Sequence, residues 1–299
     1  MTDRNNHKLP AVQLDQVSFR RHGQETDVLT KVSLGIASGE WVAIAGRNGS
    51  GKSTLVRLMN GLLPATEGSI AVHGIPLLAD TLWEIRSRIG IVFANPDDQF
   101  VGLTVADDIA FGLENACVDP AEMKEIVQDI ARQMKLEDLL DRHPATLSGG
   151  QKQRAAMAAV LAMKPSIVIF DEAASMLDER SKHELLELMA EMKQSGKYTL
   201  IAVTHDWEEM AAADRLLLLD GGTIIADGLP EDVLTQDELL ARCRLQTPYP
   251  LLLCRELKRQ GMDIGEFVDE GKVLNALWEY HSRTYRTDIA KLQERSALR

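Results

Sequence analysis

Apolar residues fall into three arrangements along this chain, and each predicts a different element. Val12, Leu14, Val17 and Phe19 alternate loosely with polar positions, as do Val32, Leu34 and Ile36, which predicts two strands. Four short runs are nearly continuous: Trp41-Val42-Ala43-Ile44-Ala45, Ile89-Gly90-Ile91-Val92-Phe93, Ile167-Val168-Ile169-Phe170 and Leu200-Ile201-Ala202-Val203. Such runs suit strands buried on both faces of a parallel sheet. Between them, apolar residues recur three and four apart (Leu55, Leu58, Met59, Leu62), which predicts helices. Strands alternating with helices imply an α/β layer. Ile70-Ala71-Val72 and two segments around Gly221-Gly222, Leu216 to Leu219 and Thr223 to Ala226, add shorter strands.

Two regions leave this rhythm. From Val105 to Leu140 strand signals vanish and Ile126, Ile130 and Met134 keep helical spacing, the mark of a helical insertion. An alanine-rich helix follows, ending near Met163-Lys164-Pro165. After Pro230 the strands cease, and Leu239, Leu240, Leu251 to Leu253, Leu257 and Phe267 predict helices broken by Pro248 and Pro250. The expected organisation is an α/β domain over 10–230, with a helical subdomain at about 105–163, and a helical appendix over 231–299.

Composition narrows the class. At 299 residues and 45% apolar, the chain can build a large core, and the composition argues against disorder. Its 33 basic and 45 acidic residues give a formal charge of −12, which argues against a broad electrostatic grip on nucleic acid. Cys117, Cys243 and Cys254 are scattered and suggest a reducing compartment rather than a metal site. No apolar run nears the ~18 residues that span a bilayer. The polar start, Met1 to Leu9, is unlike a secretory signal, so a cytoplasmic location is expected.

The chemistry begins at Gly46-Arg47-Asn48-Gly49-Ser50-Gly51-Lys52-Ser53-Thr54, between an apolar run and a helical pattern. A glycine-rich turn joining strand to helix is the plain reading. The fixed residues of G-x-x-x-x-G-K-[ST] arise by chance in roughly one such chain in a hundred, however, and here the flanks are also right. Glycines let successive N–H groups turn inward as an anion nest, and the helix aims its positive end at the same point. Lys52 would reach the β- and γ-phosphates of a nucleotide, and the Ser53 hydroxyl would ligate Mg²⁺. Asp171 ends an apolar run, where a carboxylate can hold Mg²⁺. The adjacent Glu172 can orient a water and take its proton. Alone, the pair reads equally as two acids capping a strand. Ser148-Gly149-Gly150-Gln151 opens the alanine-rich helix, either as an N-cap in a glycine turn or as a second anion site.

Taken together, the phosphate loop, Leu147-Ser148-Gly149-Gly150-Gln151 with Arg154, the Asp171-Glu172 strand and His205 resemble the ATP-binding cassette ATPases over roughly residues 10–230. That resemblance implies a P-loop NTPase fold: a mixed sheet core, an antiparallel β subdomain and an α-helical subdomain, here with a small helical C-terminal domain. It also implies ATP and Mg²⁺ as cofactors. Ser148 and Gly150 would contact the γ-phosphate of ATP held by a second ATPase subunit, identical or not. Asp178 would communicate across that dimer, and His205 would hydrogen-bond the γ-phosphate. The segment from Phe93 to Phe100, Ser175-Met176-Leu177-Asp178 and the tail with Thr247-Pro248 are similar to the ATPases of energy-coupling factor importers of vitamins, cobalt or nickel, first of the pair. The branch implies a transmembrane coupling protein and a substrate-binding membrane subunit as partners, a peripheral place on the cytoplasmic membrane face, and a dimerising tail.

Two positions depart from the family pattern. Ala94 stands where a glutamine is usual, one that contacts Mg²⁺ and water and links the nucleotide to the helical subdomain; weakened coupling or Mg²⁺ affinity is expected, with hydrolysis retained through Glu172. Arg21 stands where an aromatic usually stacks on adenine, a task a guanidinium can also perform. The competing readings are a soluble cassette ATPase acting on nucleic acid or ribosomes, and a binder that holds ATP without turnover.

Overall fold

The computed structural model describes residues 9–23 and 25–282. Its elements run β1 (Val12–Phe19), β2 (Leu29–Ile36), β3 (Trp41–Ala45), α1 (Lys52–Met59), β4 (Glu67–Val72), β5 (Ile75–Pro76), α2 (Leu82–Arg88), β6 (Ile89–Phe93), α3 (Val105–Asn115), α4 (Pro120–Gln133), α5 (Gly149–Ala162), β7 (Ile167–Asp171), α6 (Glu179–Gln194), β8 (Thr199–Val203), α7 (Trp207–Ala212), β9 (Arg215–Asp220), β10 (Thr223–Gly228), α8 (Pro230–Leu234), α9 (Asp237–Cys243) and α10 (Tyr249–Arg259).

The two apolar patterns sort into two sheets. The alternating strands form an antiparallel sheet in the order β2-β1-β4-β5, with Leu14 opposite Leu34 and Ile70. The continuous runs form the second, in the order β10-β9-β3-β8-β7-β6. Its five inner and far strands are parallel, and β10 returns antiparallel to β9 at one edge. Every residue of β3, β7 and β8 is buried, as strands covered on both faces require. One face packs α1 and the antiparallel sheet around Val42, Ile44, Ile169 and Ile201; the other packs α3, α4 and α5 around Ala43, Val168, Phe170 and Ala202.

Crossing from β3 to β8 and then β7 leaves a crevice at the strand C-termini, which is where open α/β sheets place ligands. The phosphate loop, the end of β7 and the turn after β8 all lie there. Three expectations shift. Pro248 and Pro250 open α10 rather than break it, since a helix's first turn needs no N–H from them. Phe267 lies in irregular chain before a helical stretch over 270–282. The short helix α7 was not signalled by pattern. The appendix beyond residue 282 lies outside the described residues.

The phosphate loop is clamped from beside. Gly46 has φ 147°, and a Cβ there would sit 2.1 Å from the Leu219 carbonyl oxygen of β9. That neighbour is backbone and cannot rotate away. Gly46→Ala is therefore expected to cost about 3 kcal/mol in denaturant titration and to abolish nucleotide binding by equilibrium titration; wild-type stability would refute the clamp.

Candidate active site

The cradle is made by the loop's own backbone. Lys52 is the first residue of α1 and nearly enclosed, its side chain 4% exposed. Its Nζ donates to the Gly46 carbonyl at 2.8 Å and the Arg47 carbonyl at 3.3 Å. Burial lowers the pKa of this ammonium, with Glu172 and Asp171 opposing the fall. Ser50 is buried, and its Oγ lacks a partner among the described residues, a donor held inside the loop. Arg21, Val28, Asn48, Gly49, Gly51, Lys52, Ser53, Thr54 and Glu172 line a cavity of about 480 Å³ over this cradle.

Ser53 Oγ donates to Asp171 Oδ1 at 2.9 Å, joining α1 to the end of β7. Burial raises the Asp171 pKa, while the Ser53 hydrogen bond pulls it down. A hydroxyl and a carboxylate side by side suit Mg²⁺, which takes few protein oxygens and completes its shell with phosphate and water. Among the described residues there is no group of three or more His, Cys, Asp or Glu side chains that could hold a metal.

Glu172 adopts φ 57°, in the left-handed region. Its N–H donates to the Val203 carbonyl at 2.9 Å, so the turn is tied to β8 while the carboxylate projects between this cavity and a second one beside His205. Strained backbone of this kind persists only where its surroundings enforce it. His205 Nε2 lies 3.1 Å from Lys52 Nζ and 3.4 Å from Glu172 Oε1. One nitrogen cannot accept from the ammonium and donate to the carboxylate at once, so a change of tautomer would exchange partners. Burial first, then Lys52, lower the His205 pKa, and Glu172 opposes them.

Ser148, Gly149, Gly150, Gln151 and Asp178 do not line the phosphate cavity. Ser148 caps α5: its Oγ accepts from Gln151 N–H at 3.4 Å while Gln151 Oε1 accepts from Ser148 N–H at 3.0 Å. Gly149 faces open space, whereas a Cβ on Gly150 would meet Ser181 Oγ at 2.5 Å. Asp178 caps α6 by accepting from Ser181 N–H at 2.8 Å. Neither helix start lines the chain's own cradle cavity. Asn95 does not stand in for the usual glutamine: its Oδ1 accepts from Asp97 N–H at 3.3 Å, within its own turn.

Glu209 on α7 was not anticipated, because six residues make under two helical turns and show no period. It is 7% exposed, and burial, reinforced by Asp206, pushes its carboxyl up to about 7 against the pull of Thr204 and Lys182.

A phosphate cradle over a hydroxyl–carboxylate pair, with a strained glutamate beside it and a serine-glycine helix start kept apart, defines an ATPase of the ATP-binding cassette class. Comparison agrees. A family model described as ABC transporter matches residues 29–175. The energy-coupling factor transporter ATP-binding protein EcfA1 of Bacillus subtilis (strain 168) is 45% identical over 275 residues, 91% of this chain and 98% of that one. The EcfA1 of Lactobacillus delbrueckii subsp. bulgaricus is 43% identical over 276 residues, 91% and 98% of the two chains. The structure of cbiO1 from Clostridium perfringens, described as part of the ABC transporter complex cbiONQ, superposes with TM-score 0.70 at 31% identity, covering 78% of this chain and 94% of that one. A dimeric post-hydrolysis ATP-binding cassette bound to ADP and Pi gives 0.67 at 28%, covering 73% and 98%. The chain belongs to the energy-coupling factor transporter ATP-binding proteins, a branch of the ABC transporter family.

The raised Glu209 pKa sets a pH dependence. The folded protein binds a proton there that the unfolded chain loses near 4.5, so the associated stability is full below that pH and lost as pH rises toward 7. In Glu209→Gln this loss, up to about 3 kcal/mol, is expected to vanish from urea titrations across that range; an unchanged slope would acquit Glu209.

Proposed function

We propose that this chain hydrolyses ATP as one half of a two-subunit sandwich that powers an energy-coupling factor importer of a vitamin or transition-metal micronutrient. The observation that carries the reading is the split site: the cradle and Glu172 line one cavity, with Asp171 hydrogen-bonded to Ser53 in its wall, while the Ser148-Gly149 helix start does not line it and has open space at Gly149. A single chain leaves its nucleotide half covered, and charge stabilisation works best in a closed, dry site.

In this reading Gly46, Arg47, Asn48, Gly49, Ser50, Gly51, Lys52 and Thr54 hold the phosphates, and Arg21 stacks on the base. Ser53 and Asp171 would hold Mg²⁺, which when bound neutralises charge between the β- and γ-phosphates. Glu172 orients water and takes its proton as the oxygen attacks the γ-phosphorus and the β-phosphate oxygen leaves. His205 holds the γ-phosphate in place. Ser148, Gly149, Gly150 and Gln151 close the partner subunit's site, and Asp178 reports across the interface. Glu172→Gln is expected to lower turnover 10²–10⁴-fold while ATP binding and ATP-driven dimerisation persist. A fully active variant, or a protein that stays monomeric with Mg-ATP, alone and with a candidate mate, would sink the proposal.

Among the described residues no helix is long and apolar enough to cross a membrane. Attachment would come through partners. Phe100, Val101, Phe111, Gly112, Val160 and Met163 help line a groove of about 230 Å³ between the 99–101 loop, α3 and α5, with Val101 65% and Phe111 48% exposed. We assign it to a helix of the transmembrane coupling protein, which a substrate-binding membrane subunit would join. The tail would support pairing through Leu274 and Trp278, exposed one turn apart in the 270–282 helix. Phe111→Asp is expected to abolish co-purification with the membrane partner and leave ATP affinity within two-fold, on the order of a surface change; retained co-purification would move the docking site elsewhere.

A further inference from the structure

Helix α5 belongs to two sites at once. Its first turn is the Ser-Gly-Gly start, and its later residues Ala156, Ala159 and Val160 form a wall of the groove. Between these ends it grips the segment that borders the groove on the other side. Lys152 Nζ lies 2.7 and 2.8 Å from the two carboxylate oxygens of Asp97, with the lysine side chain 17% exposed. One residue on, Gln153 Nε2 donates to the Phe93 carbonyl at 3.2 Å. Gln153 is 2% exposed, and its Oε1 has no partner among the described residues. An apolar residue would fill this position without an orphaned acceptor, so stability alone does not account for an amide here.

The two contacts bracket residues 94–96. Inside the bracket, Ala94 has no polar side-chain atom, and Asn95 caps its own turn. Gln99 folds back onto the β6 backbone, accepting from Phe93 N–H at 2.8 Å and donating to the Ile91 carbonyl at 3.2 Å. The side-chain ties from this segment to the rest of the chain therefore run to α5 and β6. None among the described residues runs to the phosphate loop. A half-exposed ion pair is a weak clamp, but bidentate geometry with a buried amide one residue away fixes the segment at two points.

We infer that Lys152 and Gln153 are positioning residues that latch the 93–99 segment to α5, so that occupancy of the groove is passed to the helix start serving the other subunit's ATP. By linkage, closure of that ATP site is passed back to the groove. The latch rests on the sandwich reading above.

The test uses the full chain in a Glu172→Gln background, following amide hydrogen exchange over 94–100 with and without Mg-ATP, and association by size exclusion. With the latch intact, exchange should slow ~5-fold or more on association, the lower end of ordinary coupling. Lys152→Gln and Asp97→Asn should each still associate but slow less than about two-fold, and the exchanged pair Lys152→Asp with Asp97→Lys should recover most of the effect. Full slowing in Lys152→Gln overturns the latch and leaves the sandwich standing. Association lost in Lys152→Gln but kept, with full slowing, in Asp97→Asn also overturns it, placing Lys152 in the subunit contact itself. No association in Glu172→Gln alone removes the sandwich and the latch with it.

Discussion

Ser53 and Asp171 meet at 2.9 Å across 118 residues of sequence, and the geometry of the candidate site depends on that meeting. It occurs because β3, β8 and β7 lie side by side in register, which brings their C-terminal ends to one edge. The buried strands supply the rigidity: Val42, Ile44, Ile169 and Ile201 on one face and Ala43, Phe170 and Ala202 on the other leave no room for a shift in register. A one-residue slip would turn Asp171 to the other face of the sheet, away from Ser53, and leave a buried, unpaired charge.

Around this contact the protein keeps charges in unfavourable surroundings. Lys52 is nearly enclosed, Asp171 is buried, and Glu172 sits in left-handed backbone. Each costs stability in a chain without nucleotide. In the function proposed above, a triphosphate with its cation would relieve each in kind, phosphate oxygens meeting Lys52 and the cation meeting Asp171. A site preorganised for a missing charge distribution binds that distribution and lowers the barrier to its reaction. His205, facing both Lys52 and Glu172 through one nitrogen, is placed to register the change.

The second set of groups shows how one physical role carries another. Ser148 and Asp178 are helix caps by every hydrogen bond they make. Capping fixes where α5 and α6 begin, and so fixes what they present outward. Stability and the recognition proposed for Ser148 are not rival accounts, because a helix N-terminus held in place by its cap can also face an anion.

Much of this was legible in the chain itself. Continuous apolar runs announced the parallel strands because a strand covered on both faces needs apolar residues at every position, and G-x-x-x-x-G-K-S announced the cradle because few other residues can line a backbone nest. The departures at Ala94 and Arg21 were legible too, as residue types out of place. Tertiary structure alone decided that Lys152 grips Asp97, that Gly46 lies against Leu219, that Glu209 is buried on a helix too short to show a period, and that Gly149 faces outward while Gly150 faces Ser181. Local sequence governs backbone angles, periodicity and caps. Contacts between segments tens to hundreds of residues apart depend on the order in which strands enter the sheet, and no local pattern encodes that order.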